Sequence, residues 1–420
     1  MTAAYDSDVS ALAEGRSGRV QDRVLHNDER VLDACVTLIE RSGWGGFHPA
    51  GVAATADMSK RAVLERGSDR DSLAAAAWQR RAWPALEESI EAVLQAGGAG
   101  TGGEDIARPG AHASGTALAR AVEPLLRPSA KLAAAMELTL VAGFHDVLDE
   151  AVRQKLTPRV SAWLSGTNAA QARTLIGQRG YLVMLATGLL MAALRRRHMP
   201  VPDLEAYLEG LATALHAAAT PVSLPADDAP HMDLAPTFDT GDPGLDRLLR
   251  SALLLIGTRG FDDTSVEAIC RDAGVSQGFL FGRYASKLEL FTDASRRQQS
   301  AAYATNSAFL AGLDERYGPG LAQAVIIREV QQPERRHQNV IFLEQVRMAW
   351  HDDRLRDAQE AEVAAAFADE PRPRTKQARS EAYAGAYVST ALGLGASLMP
   401  RIYAQAHLLP YDVVTKPLLG

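Results

Sequence analysis

Two short segments of the chain carry side chains that could recognise a polyanion. They are Ser276, Gln277, Arg283 and Lys287 in one segment, and Ser59, Lys60, Arg61, Arg66 and Arg70 in the other. A glutamine amide or an arginine guanidinium can form two hydrogen bonds with a base edge. Hydroxyls, lysines and the free amides at a helix start suit phosphate oxygens. These residue types therefore indicate non-covalent recognition of a nucleic acid.

The sequence lacks the motifs that covalent chemistry needs. It contains no nucleophile elbow, no phosphate loop, no cluster at metal-ligand spacing and no paired carboxylates in a motif. Its two cysteines, Cys35 and Cys270, lie in apolar helical patterns that are typical of buried thiols. We therefore predict no catalytic residue, no metal and no cofactor, and an enzyme is the least favoured class of function.

Composition predicts a helical protein of the cytoplasm. Aromatic residues make up only 6% of the chain, and Ala, Leu, Arg and Glu are plentiful. The longest apolar run, 181–194, is too short to span a bilayer, and the first residues do not resemble a signal peptide. We expect no membrane partner. The formal net charge of -7 argues against nucleic-acid binding by the whole surface, so any such binding must use a local face.

The chain contains an internal repeat. Segments 24–74 and 241–291 align without a gap at an offset of 217. A second match pairs 144–146 (Phe-His-Asp) with 350–352 (Trp-His-Asp) at an offset of 206. The difference needs an insertion in the first copy, for which the Gly-rich stretch 97–115 is the natural place. The pattern predicts duplication of a whole subunit.

The second copy shows a pattern of short helices most clearly. Apolar residues at helical spacing between Leu245 and Ile256 predict a first helix, which ends at Gly260. Thr264, followed three residues later by Glu267, predicts the capped start of a second short helix. Gly274 allows a sharp left-handed turn into a third helix, 277–284. Ser276 would cap that helix, and Ser286 would cap a long fourth one. Two short helices joined by a Gly-containing turn form a helix-turn-helix.

This segment resembles the DNA-binding domain of the TetR family of bacterial regulators. The resemblance rests on the aromatic residue after Gly260, the stretch Ala273–Ser276, the aromatic Tyr284 and the pair Ser286-Lys287. It implies an all-α fold of two tandem TetR-like subunits. Each subunit would have a three-helix head with the helix-turn-helix, followed by a helical body with a ligand pocket and a dimerisation face.

The first copy departs from the family pattern. Asp57 replaces the turn glycine Gly274, Gly67 replaces Tyr284, and Glu65 would face the phosphates. We expect this head to fold, and whether it contacts DNA stays open. Neither head is strongly basic, since 242–297 holds eight basic and eight acidic residues. The predicted affinity from phosphate neutralisation is therefore modest.

The predicted DNA contacts come from both heads. In the second head they are Thr264, Ser276, Gln277, Gly278, Phe279, Phe281, Arg283 and Lys287. In the first head they are Ser59, Lys60, Arg61, Ala62, Arg66 and Arg70. Residues that could line a ligand pocket in the bodies are Phe144, His145, Met184, Met348, Trp350 and His351, although most such residues simply belong to a core.

The predicted domains follow from these patterns. They are a flexible arm (1–26), a first head (27–81), a first body (82–220), a linker (221–241), a second head (242–297) and a second body (298–420). The two bodies would pair within one chain as a pseudo-dimer, and whether the chain pairs again with a second copy stays open.

Two functions remain open on the sequence alone. The resemblance implies a ligand-responsive repressor that binds double-stranded operator DNA and is released by a small apolar effector. The alternative is an interaction or antirepressor protein of the same fold that has lost operator binding. The eroded first head and the acidic chain favour the alternative, whereas Gln277, Arg283 and Lys287 in an intact second head favour the repressor.

Overall fold

The computed structural model describes the backbone of residues 3–98, 114–165, 169–217, 222, 237–366 and 375–419. Side chains are described from residue 25 onward within these ranges, except those of 169–172, 301–308, 310 and 362–366. Every regular element in the described residues is a helix, which confirms the all-α prediction. Most of the predicted insertion in 97–115 and of the linker 221–241 lies outside the described residues.

The first head and first body consist of ten α-helices in the described residues. They are α1 (Ala3–Gly46), α2 (Pro49–Ala56), α3 (Lys60–Leu64), α4 (Arg70–Ala77), α5 (Trp83–Ala96), α6 (Gly115–Leu126), α7 (Ala130–Val141), α8 (Asp146–Trp163), α9 (Ala169–Arg195) and α10 (Glu205–His216). A π-helical turn, Trp78–Ala82, joins α4 to α5 just before Pro84, the second residue of α5. Since Pro84 has no N–H to donate, the helix departs from regular α geometry at this point.

The second head and second body repeat much of this order. They consist of α11 (Pro243–Arg259), α12 (Val266–Ala273), α13 (Gln277–Phe281), α14 (Lys287–Tyr317), α15 (Pro319–Val330), α16 (Arg336–Ala349), α17 (Asp353–Ala366), α18 (Lys376–Ile402) and α19 (Asp412–Leu419). Gly260 ends α11 with a φ of 77°, as its position after the apolar stripe predicts. Gly43, with a φ of 61°, interrupts α1 at the corresponding point.

The first helix extends much further toward the start of the chain than the sequence predicts. It begins at Ala3, so segment 1–26, for which the sequence predicts a flexible arm, is helical from residue 3. Ala, Glu and Arg favour helix without any packing, and lengthening an existing helix is far easier than nucleating one. The apolar stripe near Val31 and Ile39 provides that existing helix.

Matching helices begin at constant offsets in residue number. Helices α2, α3 and α4 precede α12, α13 and α14 at a common offset of 217, for example 266 − 49 for α12 and α2. Helices α8 and α9 precede α17 and α18 at an offset of 207, for example 353 − 146, and the ends of α9 and α18 keep the same offset. The sequence alignment gives an offset of 206 for the bodies, one residue less than the offset between these helix starts.

Two long body helices, α9 and α18, cross at a pair of glycines. A Cβ on Gly188 would overlap the carbonyl oxygen of Ala391, and one on Gly395 would overlap the carbonyl oxygen of Met184. The two backbones therefore approach more closely than any other residue type allows. Both halves of the chain meet here in one continuous apolar core.

Helix α9 is apolar for a structural reason. Its stretch Arg173–Arg195 is the one described helix segment that is long and apolar enough to cross a membrane by length and composition. However, 83% of the most apolar 18 residues of that stretch are buried inside the protein. A helix that is apolar on all sides is expected where it packs between other helices.

The crossing predicts opposite effects on stability when two neighbouring glycines of α18 are replaced by alanine. We expect Gly395→Ala to lower the free energy of unfolding by about 1–3 kcal/mol, because the new Cβ must push the helices apart. Gly393→Ala adds a Cβ two residues away in open space. This control should be neutral or stabilise by up to about 1 kcal/mol through helix propensity. Urea unfolding monitored by circular dichroism measures both, and equal effects of the two variants would contradict the close crossing.

Candidate nucleic-acid interface

The second head forms the predicted helix-turn-helix with one change at its start. Ser265, rather than Thr264, caps α12, and its hydroxyl accepts a hydrogen bond from the N–H of Ala268 at 3.1 Å. The prediction that Thr264 caps the helix is therefore wrong by one residue. Thr264 is buried, and its hydroxyl donates to the carbonyl of Gly260 at 2.7 Å. It is consequently not placed to contact a phosphate, contrary to the prediction.

The turn and α13 place a small exposed face at the surface of the second head. Gly274 has a φ of 65°, and Ser276 caps α13 by accepting from the N–H of Phe279 at 3.1 Å. Leu280 is fully buried and anchors the helix to the head core. Gln277 and Gly278 are therefore exposed, and 53% of the Phe281 side chain is accessible. These three predicted contact residues share the exposed side of α13.

Arg283 is held against the second head. Its guanidinium lies 3.6 Å above the ring of Phe279 and donates to the carboxylate of Asp242 at 2.8 Å. The side chain of Arg283 is 37% exposed, so it lies at the edge of the face. Phe279 is half-buried beneath the guanidinium, which leaves Phe281 as the more accessible aromatic ring. Backbone N–H donors at Leu245 and Gly244, together with Arg283, lower the pKa of Asp242. The carboxylate of Asp242 is therefore ionised at neutral pH.

Lys287 has a structural position instead of the predicted phosphate contact. Its ammonium group donates to the carbonyls of Phe261 at 2.6 Å and Thr264 at 2.7 Å. It also lies 4.2 Å from the centre of the Phe261 ring. Burial lowers the pKa of Lys287, partly opposed by Asp262 and Asp263. The lysine joins the start of α14 to the loop before α12, which explains the residue type at this position without DNA.

Only part of the predicted set in the first head is exposed. Ser59 caps α3 and accepts from the N–H of Ala62 at 3.2 Å, and Lys60 is exposed beside it. Arg61 is 90% exposed and forms only a surface pair with Glu65 at 3.3 Å. This exposed end of α3 therefore carries positive charge.

Two arginines of the first head point inward, contrary to the prediction that they face DNA. Arg66 donates to Asp28 at 2.6 Å and is 18% exposed. The guanidinium of Arg70 lies 3.8 Å from the centre of the Trp44 ring and donates to the Trp44 carbonyl. Both stabilise contacts between α1 and the following helices. The sequence predicts exposed positions for both arginines, because it does not show which carbonyls and rings lie within their reach.

A buried ionic cluster at the junction of heads and bodies was not predicted. The carboxylate of Glu137 accepts from the N–H of Trp44 at 2.8 Å, and Glu344 accepts from the N–H of Phe261 at 2.6 Å. Arg347, which is 2% exposed, donates to both glutamates at 2.7 Å and to Asp262 at 2.9 Å. The sequence signal that could have revealed this cluster is a charged residue at helical spacing among apolar residues, as in α7 and α16.

The cluster is charged on both sides. Burial alone would raise the pKa of Glu137, but Arg347, His351 and the Trp44 N–H together lower it to about 2. The pKa of Arg347 lies well above its usual range, because the attraction of Glu344 and Glu137 outweighs the effect of burial. Each glutamate holds the backbone of one head, so Arg347 connects both heads to both bodies.

The six predicted pocket residues do not meet in one cavity. Phe144 lines a cavity of about 480 Å³, whereas the other five lie elsewhere. The His145 ring packs against Trp44 at a tilt of 49°, and it lies 3.5 Å from Asp71 and 3.4 Å from Asp263. His351 lies 3.3 Å from Glu137. The remaining residues pack in cores: Met184 and Trp350 in the bodies and Met348 against the second head.

Both histidines therefore belong to the junction between heads and bodies. Within the part of the chain that the structure describes, no three His, Cys, Asp or Glu side chains are grouped to hold a metal ion. Burial lowers the pKa of His145, opposed by Asp71 and Asp263. His145 contacts carboxylates of both heads, which places it beside the contact between them.

The comparison with known families agrees with the geometry of the second head. Residues 248–294 match the model of the family described as "Bacterial regulatory proteins, tetR family". No curated protein matches the chain. The match covers α12, α13 and most of α11, together with the start of α14, and therefore includes the exposed face of α13. It supports a tetR-type DNA-binding domain in this segment of the chain.

The position of Lys287 predicts that its substitution changes the stability of the fold but not the salt dependence of DNA binding. We expect Lys287→Met to lower the free energy of unfolding by about 1–3 kcal/mol, because two buried carbonyls lose their donor. The salt dependence of any DNA binding should not change, since Lys287 neutralises no phosphate. Lys60→Met, on the exposed end of α3, is the matched variant and should leave stability unchanged. A stable Lys287→Met protein with a smaller salt slope would contradict this assignment.

The buried cluster gives a second prediction. Arg347→Met leaves Glu137 and Glu344 buried without their shared cation, which should cost about 3–5 kcal/mol of unfolding free energy. The exposed Arg354, on α17, provides the control, and Arg354→Met should change stability by less than about 0.5 kcal/mol. Urea denaturation followed by tryptophan fluorescence gives both values. Comparable stabilities for the two variants would show that Arg347 does not hold the junction together.

Proposed function

We propose that this protein is a cytoplasmic, non-enzymatic transcriptional regulator that binds double-stranded operator DNA mainly through its second head. The observation that carries the proposal is the exposed face of α13, with Gln277, Gly278 and Phe281, inside the segment that matches the tetR family. A recognition helix enters the major groove of DNA with its N-terminal residues. Gln277 is the first residue of α13, and its amide can pair with adenine.

We further propose that the chain consists of two fused subunits. The constant offsets of 217 between the head helices and 207 between the body helices support this proposal. So does the equivalence of two buried glutamates, Glu137 and Glu344, which share the body offset and each bind the backbone of one head. Unrelated domains would have no reason to repeat both a helix spacing and a buried charge.

The contact between α9 and α18 supports an intrachain pseudo-dimer. Gly188 meets Ala391, and Gly395 meets Met184, so each half supplies one glycine and one carbonyl. In a twofold interface, residue i contacts residue j of the partner and j contacts i. Met184 and Ala391 are related by the body offset, as are Gly188 and Gly395, so the pattern is the one that a symmetric dimer would give.

The two heads are unequal, and the operator should reflect this. The first head offers Lys60 and Arg61 on its exposed end, while Arg66 and Arg70 are bound internally. The second head offers a neutral face with an amide and an aromatic ring. We propose that the second head reads bases and that the first mainly contacts phosphates, so the operator need not be palindromic.

Regulation by a ligand is proposed from the junction. Arg347 contacts residues of both bodies, and His145 contacts residues of both heads. A small shift of a body would therefore change the spacing of the heads. The alternative function is an interaction or antirepressor protein. It is favoured by the net charge of -7 and by the pairing of Arg283 with Asp242.

The test is fluorescence anisotropy of the full chain with labelled DNA from the intergenic region upstream of its own gene. We expect Gln277→Ala to weaken selective binding by about 5–150-fold, which corresponds to the roughly 1–3 kcal/mol of one amide–adenine pair. Arg61→Ala should weaken binding to selective and random DNA equally, because phosphate contacts carry no sequence information.

Arg271→Ala is the control for this experiment. Arg271 is an exposed arginine of α12 whose described partner is Glu267 on the same helix, away from the face of α13. This variant should bind like the parent. If the parent shows no sequence-selective binding even at low salt, the regulator proposal fails and the interaction-protein alternative takes its place.

A further inference from the structure

One cavity lies where both bodies meet the second head. It measures about 480 Å³ and is lined by the end of α7, by α8, by the end of α11, and by α16 and α18. Its walls therefore come from both halves of the chain, unlike a pocket inside a single body. A cavity of this size is in the range of small-molecule sites.

Two polar groups of this cavity lack partners. Arg401 donates through Nη1 to the carbonyl of Leu140 at 2.9 Å, but its buried Nη2 has no hydrogen-bond partner. The Nε2 of His337 is likewise buried and without a partner. A buried polar atom left unpaired costs free energy, so Arg401 Nη2 is better satisfied when a ligand oxygen is present, while Nε2 of His337 can donate to or accept from a ligand according to its tautomer.

The charges that face Arg401 favour an anion. Arg336 is exposed and lines the same cavity, while Arg153, Asp149 and Glu334 complete its ionisable lining together with His337. Asp149 is paired with Arg153 at 2.8 Å, so Glu334 is the one remaining carboxylate beside Arg336 and Arg401. Burial lowers the pKa of Arg401 to about 10, which still leaves it protonated at neutral pH. The cavity therefore has an excess of positive charge.

The rest of the lining is partly polar, with Thr139, Thr157, Thr258, Asn339 and Ser397, and partly apolar. Phe144, Val152, Leu156, Leu343 and Ile402 surround the charged groups. Guanidinium groups bind carboxylates in paired hydrogen bonds, and an apolar wall accepts a short hydrocarbon chain. The two kinds of surface together describe an amphipathic ligand with an anionic end.

We propose that this cavity binds a small monocarboxylate with a short apolar chain, whose carboxylate accepts hydrogen bonds from Arg401 Nη2 and Arg336. The sequence predicts a small apolar effector, and this proposal adds an anionic end to it. The regulatory part of the inference rests on the proposed function, whereas binding itself does not.

The cavity is connected to the second head. Gly257 of α11 lines it, and a Cβ at this glycine would lie 2.8 Å from Cε1 of His337. Three residues later Gly260 ends α11, and the next residue, Phe261, donates its N–H to Glu344. A ligand that engages Arg336 and His337 therefore acts on the end of α11 that leads into the helix-turn-helix.

The test is isothermal titration calorimetry of the full chain without DNA, using hexanoate, hexan-1-ol and hexylamine. We expect hexanoate to bind and the alcohol and amine to bind at least tenfold more weakly. Arg336→Met should weaken hexanoate binding about tenfold or more through the lost charge-assisted hydrogen bonds. Arg354→Met, an exposed arginine outside the cavity, should bind hexanoate like the parent. Equal binding of hexanol, no binding of hexanoate, or an unaffected Arg336→Met would overturn the proposal.

Arg401 is tested with a conservative variant, because its hydrogen bond to Leu140 also supports the fold. Arg401→Lys keeps the charge but loses the second guanidinium nitrogen, and it should weaken hexanoate binding while the melting temperature stays within a few degrees.

Hydrogen exchange at 257–264 measures the connection between the cavity and the second head, and this exchange should slow when hexanoate saturates the protein. Unchanged exchange would overturn the regulatory part. Since no DNA is present, these outcomes stand apart from success or failure of operator binding.

Discussion

A single buried arginine determines how the parts of this protein can be arranged. Arg347 lies between Glu137 and Glu344. Glu137 accepts the N–H of Trp44, the residue after the Gly43 that interrupts α1. Glu344 accepts the N–H of Phe261, the residue after the Gly260 that ends α11. A charge in an apolar interior is tolerated only when its partners are fixed at hydrogen-bond distance. The two bodies must therefore bring both glutamates to one point, and this constraint sets the position of each head relative to the other.

The close crossing of α9 and α18 makes that arrangement geometrically accessible. Gly188 and Gly395 let the two backbones approach until each glycine contacts a carbonyl of the other helix. Bulkier residues would hold the helices apart and would separate the parts of the bodies that carry Glu137 and Glu344. The glycines and the buried ionic cluster thus depend on each other. The glycines permit the two helices to approach closely, and the cluster fixes the orientation of the bodies that carry them.

The heads show how a charged residue can serve structure instead of binding. Lys287, Arg66 and Arg70 all have the residue types of a DNA-contacting surface, yet each is bound by carbonyls, a carboxylate or an aromatic ring of its own head. What remains exposed is smaller and different in the two heads, an amide and an aromatic ring in one and a lysine and an arginine in the other. Recognition by this protein is accordingly expected to be asymmetric.

Local sequence determined the helices, the turn at Gly274 and the cap at Ser276, because backbone conformation and capping depend on residues a few positions apart. The same local logic missed the cap at Ser265 by one residue and missed the helix before residue 27, where propensity alone continues an existing helix. Only the tertiary structure decided which charged side chains face inward and which residues surround the cavity. These depend on groups far apart in the chain, such as Glu137 and Arg347 or Leu140 and Arg401, whose distances no local pattern encodes.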